Sequence, residues 1–169
     1  MAVLIMPNYN DLNLDYQGGD LDISSNKLTS LVGCPNHITG DFIYRYTDLT
    51  SLIGGPQRVD GNYDCTDNNL KSFDGCASHI GCDLYCWDNN ITSLVGIHKI
   101  IKSCKEIWFD NSKITVGGIG LLLIDNLEYV STDLVPFKII HSYLGTGSKG
   151  MMACRAELIS KGCANYAKL

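Results

Sequence analysis

Carboxylates and thiols are the groups in this 169-residue chain that could do chemistry, and both recur at a fixed spacing. Asp20, Asp41, Asn62 and Asp83 fall 21 residues apart, and Glu106 follows 23 residues later. Asp22 and Asp64 sit two residues after Asp20 and Asn62. Asp20, Asp22, Asp41 and Asp64 have the chemistry of a hard-cation site or a general acid–base pair. An acidic solvent face is the commoner origin of such a cluster. Cys65 and Cys86 are also 21 apart, with Cys82 four residues before Cys86. On adjacent parallel strands Cys65 and Cys86 would stack at about 4.8 Å, which suits a disulfide or two metal ligands, whereas Cys82 and Cys86 on one strand would lie about 13 Å apart. His37 and His79 share one repeat position with Arg58 between them, while His98 and His141 stand alone. Cys154, near Lys149 and Arg155, has surroundings that lower a thiol pKa. The sequence contains no CxxC pair, glycine-rich phosphate loop or His/Glu zinc motif. The inventory argues against an enzyme and implies no cofactor. A metal protein or small enzyme built on the acidic column or on Cys65, Cys82 and Cys86 is the alternative.

The spacing belongs to a repeat that must position these groups. Four blocks start at Gly19, Gly40, Gly61 and Cys82 without gaps, and part of a fifth follows. Position 10 of each is Leu28, Leu49, Leu70 and Ile91; position 13 is Leu31, Leu52, Phe73 and Leu94; position 15 is Gly33, Gly54, Gly75 and Gly96. A fixed period of this length defines a solenoid. Positions 2 to 6 alternate as a strand does. Leu21/Ile23, Phe42/Tyr44, Tyr63/Cys65, Leu84/Cys86 and Ile107/Phe109 are expected inside. Cys65, Cys86, Cys34 and Cys76 therefore occupy core slots, where a reduced cysteine acts as a small hydrophobe. The return limb carries Gly and, in two blocks, Pro35 and Pro56, so it is expected to be extended or irregular rather than helical.

Written out, Leu21-x-Ile23-x-x-Asn26-x-Leu28 carries the Leu-x-Leu-x-x-Asn-x-Leu signature, with Asn68 and Asn89 in the Asn slot and Thr47 and Ser112 as hydroxyl substitutes. In this the chain resembles leucine-rich repeat proteins, including the short-repeat class of bacterial effectors. It is similar also to small repeat proteins of tailed bacteriophages, through Asn26–Pro35, Gly118–Ile124 and Glu157–Leu169. The resemblance implies a parallel sheet with one strand per turn, whose outward residues form a concave binding surface. It implies no activity; the catalytic Cys ligase domain of some effectors is far larger than this tail.

Two residues are inserted near Ser103 and Cys104, and the pattern dissolves after Ile114. Residues 119–124 read as a last buried strand or rung. Pro136 opens a predicted helix to about Tyr143, and a second runs from about Ser148 to Lys161, stopped by Gly162. The expected organisation is an N-terminal cap over 1–18, a leucine-rich repeat solenoid over 19–124 and a helical cap over 125–169. Solenoid ends need such covers. Residues 1–135 carry eight Lys and Arg against seventeen Asp and Glu; residues 136–169 carry five against one. The acidic body disfavours nucleic acid. No apolar stretch is long enough to span a bilayer. The N-terminus lacks a basic start and a cleavage site, so a cytoplasmic protein is expected, in the host cytoplasm if phage-encoded.

On the strand face, position 4 is Asp22, Ile43, Asp64, Tyr85 and Trp108, and position 6 is Ser24, Arg45, Thr66, Trp87 and Asp110. Both tryptophans of the chain thus fall on neighbouring rungs. Large aromatics on a surface are typical binding anchors. The expected partner is another protein, such as a bacterial host protein, held by Tyr85, Trp87 and Trp108, with Asp41, Asp83, Glu106, Ile43 and Arg45 around them. Self-association, as of a virion component, is a further expectation. Helices folded back over the aromatics would instead make them core.

Overall fold

The computed structural model describes residues 7–131 and 133–169. The part of the expected N-terminal cap in residues 1–6 lies outside them. The chain is a β-solenoid of about five turns with a helical C-terminal end. Along the chain the strands are β1 (Leu21–Asp22), β2 (His37–Ile38), β3 (Phe42–Ile43), β4 (Arg58–Val59), β5 (Tyr63–Asp64), β6 (His79–Ile80), β7 (Asp83–Cys86), β8 (Glu106–Phe109) and β9 (Tyr129–Val130). Strands β1, β3, β5, β7, β8 and β9 form one parallel sheet, and β2, β4 and β6 form a second on the return limb.

The alternation in the sequence sets the register. Leu21, Phe42, Tyr63, Leu84, Ile107 and Val130 pair in one column, and all are buried. The next inward column, Ile23, Tyr44, Cys65, Cys86 and Phe109, is buried as well. Phe42, Tyr44 and Tyr63 fill the middle rungs, with ring centroids 4.8 to 5.5 Å apart. In the second sheet Ile38, Val59 and Ile80 face in, while His37, Arg58 and His79 face out.

The Asn slot closes the first four turns; in the fifth, Ser112 does not substitute for it, because its hydroxyl donates to Asp110 Oδ1 instead. Asn68 Nδ2 donates to the carbonyls of Tyr44, Cys65 and Thr66, and its Oδ1 accepts the amide of Leu49. Asn89 repeats this with Cys65, Cys86, Trp87 and Leu70. Thr47 substitutes in part: its hydroxyl donates to Asn68 Oδ1 at 2.7 Å. Buried backbone groups at the bend are thus paired between rungs as well as within them. Gly75 has φ +89°, and a Cβ there would fall 2.4 Å from the Ile53 amide nitrogen of the previous rung. Only glycine permits both that conformation and that approach.

Three expectations need correction. The return limb of the fourth block contains a short helix, α1 (Ile97–Ile100), and the added residues are there, not at Ser103 and Cys104. The Lys102 amide donates to Ser78 O as the Ser78 amide does to Gln57 O, so equivalent positions are 21 apart before α1 and 24 across it; one residue is lost again between Ser103 and Glu106, which leaves 23 between Leu84 and Ile107. Residues 119–124 are no strand: Ile119–Leu123 form a buried 3₁₀ turn. The last rung is β9, which lies within the segment expected to be helical cap; Tyr129–Val130 pairs with Glu106–Ile107.

The two expected helices form, as α2 (Val135–Ser142) and α3 (Gly147–Ser160). Phe137 of α2 packs edge-on to Phe109 at 5.3 Å and to Tyr166 at 5.7 Å. Cys154 and Leu158 of α3 are fully buried, and α3 lies against the 3₁₀ turn. The tail is pinned where Tyr166 Oη donates to Ile114 O at 2.7 Å. At the other end, a 3₁₀ turn over Tyr9–Leu12, capped by Asn8, reaches the first rung through an Asn8–Ser30 bridge.

Candidate functional site

The outward column of acids is part of the scaffold. Asp20 Oδ1 accepts the Asp41 amide at 2.8 Å, and Asp41 Oδ1 accepts the Asn62 amide at 2.7 Å. Asn62 Oδ1 accepts the Asp83 amide at 3.2 Å, and Asn62 Nδ2 donates to Asp41 Oδ2. Asp20 and Asp41 thus each satisfy the next rung's amide and place a charge beside that dipole, which offsets repulsion along the column. Asn62 links two acids as well as diluting their charge. Glycine precedes the strand because the carboxylate needs its space: a Cβ on Gly61 would fall 2.2 Å from Asp41 Oδ1.

The four acids with the chemistry of a cation or acid–base site are therefore engaged elsewhere. Asp20 and Asp41 belong to this ladder, and Asp22 Oδ1 accepts the Ser24 amide. Asp64, buried at 5% exposure, is held by Arg45 through Nε at 2.8 Å and Nη2 at 2.7 Å. Its other oxygen accepts the Thr66 amide. Among the described residues no group of three or more His, Cys, Asp or Glu side chains is arranged for a metal ion.

From Asp83 on, the face changes character. Asp83 Oδ2 accepts the Tyr85 hydroxyl at 3.0 Å, and one rung later Glu106 Oε2 accepts Trp108 Nε1 at 2.8 Å. In each, an aromatic donor at position 4 holds the acid at position 2. Burial, with Asp83 beside it, pushes the Tyr85 phenol up to about 12, so it stays a donor at neutral pH. Trp87 and Trp108 lie 6.2 Å apart, and Trp108 stacks on Tyr129 of β9 at 4.6 Å and 35°. His141 of α2 meets the Tyr129 ring edge-on at 5.2 Å. Tyr85, Trp87, Trp108 and Tyr129 all remain partly exposed. The helices cover the solenoid end, and His141 of α2 meets the aromatic run at Tyr129.

The structure thus brings together Tyr85, Trp87, Trp108, Asp83 and Glu106. Asp41, Ile43 and Arg45 lie two strands away on β3 and just beyond it. Tyr129 and His141 join the cluster and were not anticipated. Tyr129 shares a column with Glu106, but its spacing of 23 falls outside the 21-residue register. His141 is brought in by helix docking alone.

The remaining candidates are structural. All eight cysteines are free thiols. Cys65 donates to Tyr85 O at 3.3 Å and Cys86 to Trp108 O at 3.2 Å, and burial drives the Cys86 thiol well above its usual range. Cys154 is no activated thiol: burial, with Glu157 adding to it, pushes it up to about 11 despite Lys149 and Arg155 nearby in sequence. On the return limb Asp60 joins His37 Nε2 at 2.9 Å to Arg58 Nε at 2.7 Å. That hydrogen bond from His37, then the Arg58 charge, holds the Asp60 carboxyl below its ordinary range.

No protein-family model, curated protein sequence or solved structure matches the chain. Among the described residues no helix is long and apolar enough to cross a membrane.

Proposed function

We propose that this chain is a leucine-rich repeat protein that binds another protein through the strand face and has no catalytic activity of its own. The observation that carries the reading is the run Trp87–Trp108–Tyr129, left partly exposed on a rigid parallel sheet. Aromatic side chains combine large contact area with little conformational freedom to lose, so they dominate binding energy at interfaces. Tyr85, Trp87 and Trp108 are the anchors. Asp83 and Glu106 steer a basic partner and make its association salt-sensitive. Asp41, Ile43 and Arg45 are the outer contacts, and Asp41 is the least available because the ladder uses both of its oxygens. The turn closure by Asn26, Asn68 and Asn89 supports the leucine-rich repeat assignment. The likeness to phage repeat proteins supports a phage-encoded factor that acts in the host cytoplasm on a bacterial protein, such as a defence component.

Self-association is the second reading. It rests on the basic segment from residue 136 on, opposite an acidic body, and on α3, whose Met152 and Ile159 are 77% and 54% exposed. The test is capture from host extract by wild type and by Trp87→Ala/Trp108→Ala, with melting followed in parallel. The double variant is expected to lose the partner while remaining folded. Trp108 contacts Trp87, Tyr129 and Glu106, so its loss should cost about 1–2 kcal/mol of stability. Unchanged capture, or collapse of the fold, counts against the reading.

A further inference from the structure

Resting on the reading of the strand face as a partner surface, we propose that its aromatic end receives an arginine side chain of the partner, its guanidinium stacked on the Trp87–Trp108–Tyr129 run and paired with Asp83 and Glu106.

The inference follows from which donors and acceptors remain. The side-chain donors beside Asp83 and Glu106, and Arg45 further along the face, are already engaged. Tyr85 Oη is on Asp83, Trp108 Nε1 is on Glu106, and Arg45 is on Asp64. At the border Lys113 pairs with Asp110 at 3.6 Å and donates to Asn89 O. What the two acids keep is acceptor capacity. Asp83 and Glu106, directly paired across β7 and β8, each commit one oxygen to an aromatic donor and keep the other. A ligand for this site must bring donors and positive charge.

A flat group suits the outer ring faces of the run. Trp108 and Tyr129 are tilted by 35° and Trp87 by 42° to Trp108, so they offer separate ring faces rather than one platform. A guanidinium supplies five donors in a flat fork, stacks on aromatic faces and is weakly hydrated. A lysine ammonium is a compact, strongly hydrated point charge and gains less from stacking. A neutral sugar stacks on aromatics but brings no positive charge to offset the two carboxylates. The aromatic hydrogen bonds also hold the two carboxylates in place before the ligand arrives, which lowers the ordering cost of binding.

The experiment uses the full chain and reads its tryptophan fluorescence, since both tryptophans are at the site. The probes are an acetylated hexapeptide amide with two arginines, the same peptide with lysines, and the same peptide with citrullines, which keep the planar shape without the charge. A saturable change is expected, with the arginine peptide binding about tenfold tighter than either analogue. Asp83→Asn/Glu106→Gln keeps an acceptor for Tyr85 and Trp108 and removes only the charges; it should weaken arginine binding at least about tenfold. No saturable signal, equal affinity for lysine or citrulline, or an unaffected double variant would overturn the proposal. A concentration-dependent signal without peptide that Arg155→Gln removes would assign the site to a second copy's α3, and so overturn a foreign partner. The two readings fail separately. A partner lost by Trp87→Ala/Trp108→Ala but not displaced by the arginine peptide defeats the arginine assignment and leaves the surface. A partner retained by that variant, alongside specific arginine binding, defeats the surface and leaves the arginine site.

Discussion

Asn68 shows how a repeat can turn a polar side chain into scaffold. It is 6% exposed, accepts the Leu49 amide and the Thr47 hydroxyl, and donates to three backbone carbonyls on two rungs. Asn68→Ala leaves those groups buried without partners. The expected cost is roughly 3 kcal/mol or more, measured as a fall in urea midpoint with little change in slope. A loss under about 1 kcal/mol would mean that water replaces the side chain freely. The position-2 acids carry the same lesson with a functional consequence. In the sequence, Asp20, Asp41, Asn62 and Asp83 look like a charged face offered to solvent. Their hydrogen bonds to successive strand amides mark the column as structural up to Asp83. From there Tyr85 and Trp108 take over the acids and leave acceptors free.

Element by element, strands were more legible than caps. Period-2 alternation and the 21-residue spacing locate the first five strands of the large sheet, because inward burial admits one register; a slip by one would expose Phe42 and Tyr44. The return-limb sheet was less visible. Its strands are two residues each, and only Ile38, Val59 and Ile80 mark them. Asp60 couples β2 to β4 through His37 and Arg58. Its carboxyl is held below the ordinary value of 3.8 in the folded chain. A group whose folded pKa is depressed contributes stability above its unfolded pKa and loses it as pH falls through the folded value. Asp60→Asn should therefore be less stable than wild type at pH 6, with the gap beginning to shrink near the ordinary value of 3.8 and closing only once pH falls through the lower folded pKa. Urea titrations at successive pH values would read this, and a gap that persists at the lowest pH would mean that the coupling is not the carboxylate's charge.

At the scale of the molecule, a solenoid is stabilised by each rung and its neighbours, so protection should vary along its axis. Strands β7 and β8 pair over four residues and have β5 and β9 on either side, whereas β1 pairs over two residues at one end of the sheet. Amide hydrogen exchange should be slowest through β5, β7 and β8 and fastest through β1. Uniform exchange would indicate all-or-none opening. Trp108 and Tyr85 lie on rungs expected to exchange slowly, and Tyr129 on β9 beside them, which suits the proposed binding face. The sequence by itself determined the solenoid, its inward columns, the Asn closure and the outward placement of both tryptophans. All of these repeat locally, and strand geometry turns such a period into a face. Tertiary structure alone decided the sixth rung, the helical turn that absorbs the added residues, the docking of α2 and α3, and the joining of Tyr129 and His141 to the tryptophans. Those depend on how non-repeating segments close an open end, where no period exists to be read and packing between distant residues selects the outcome.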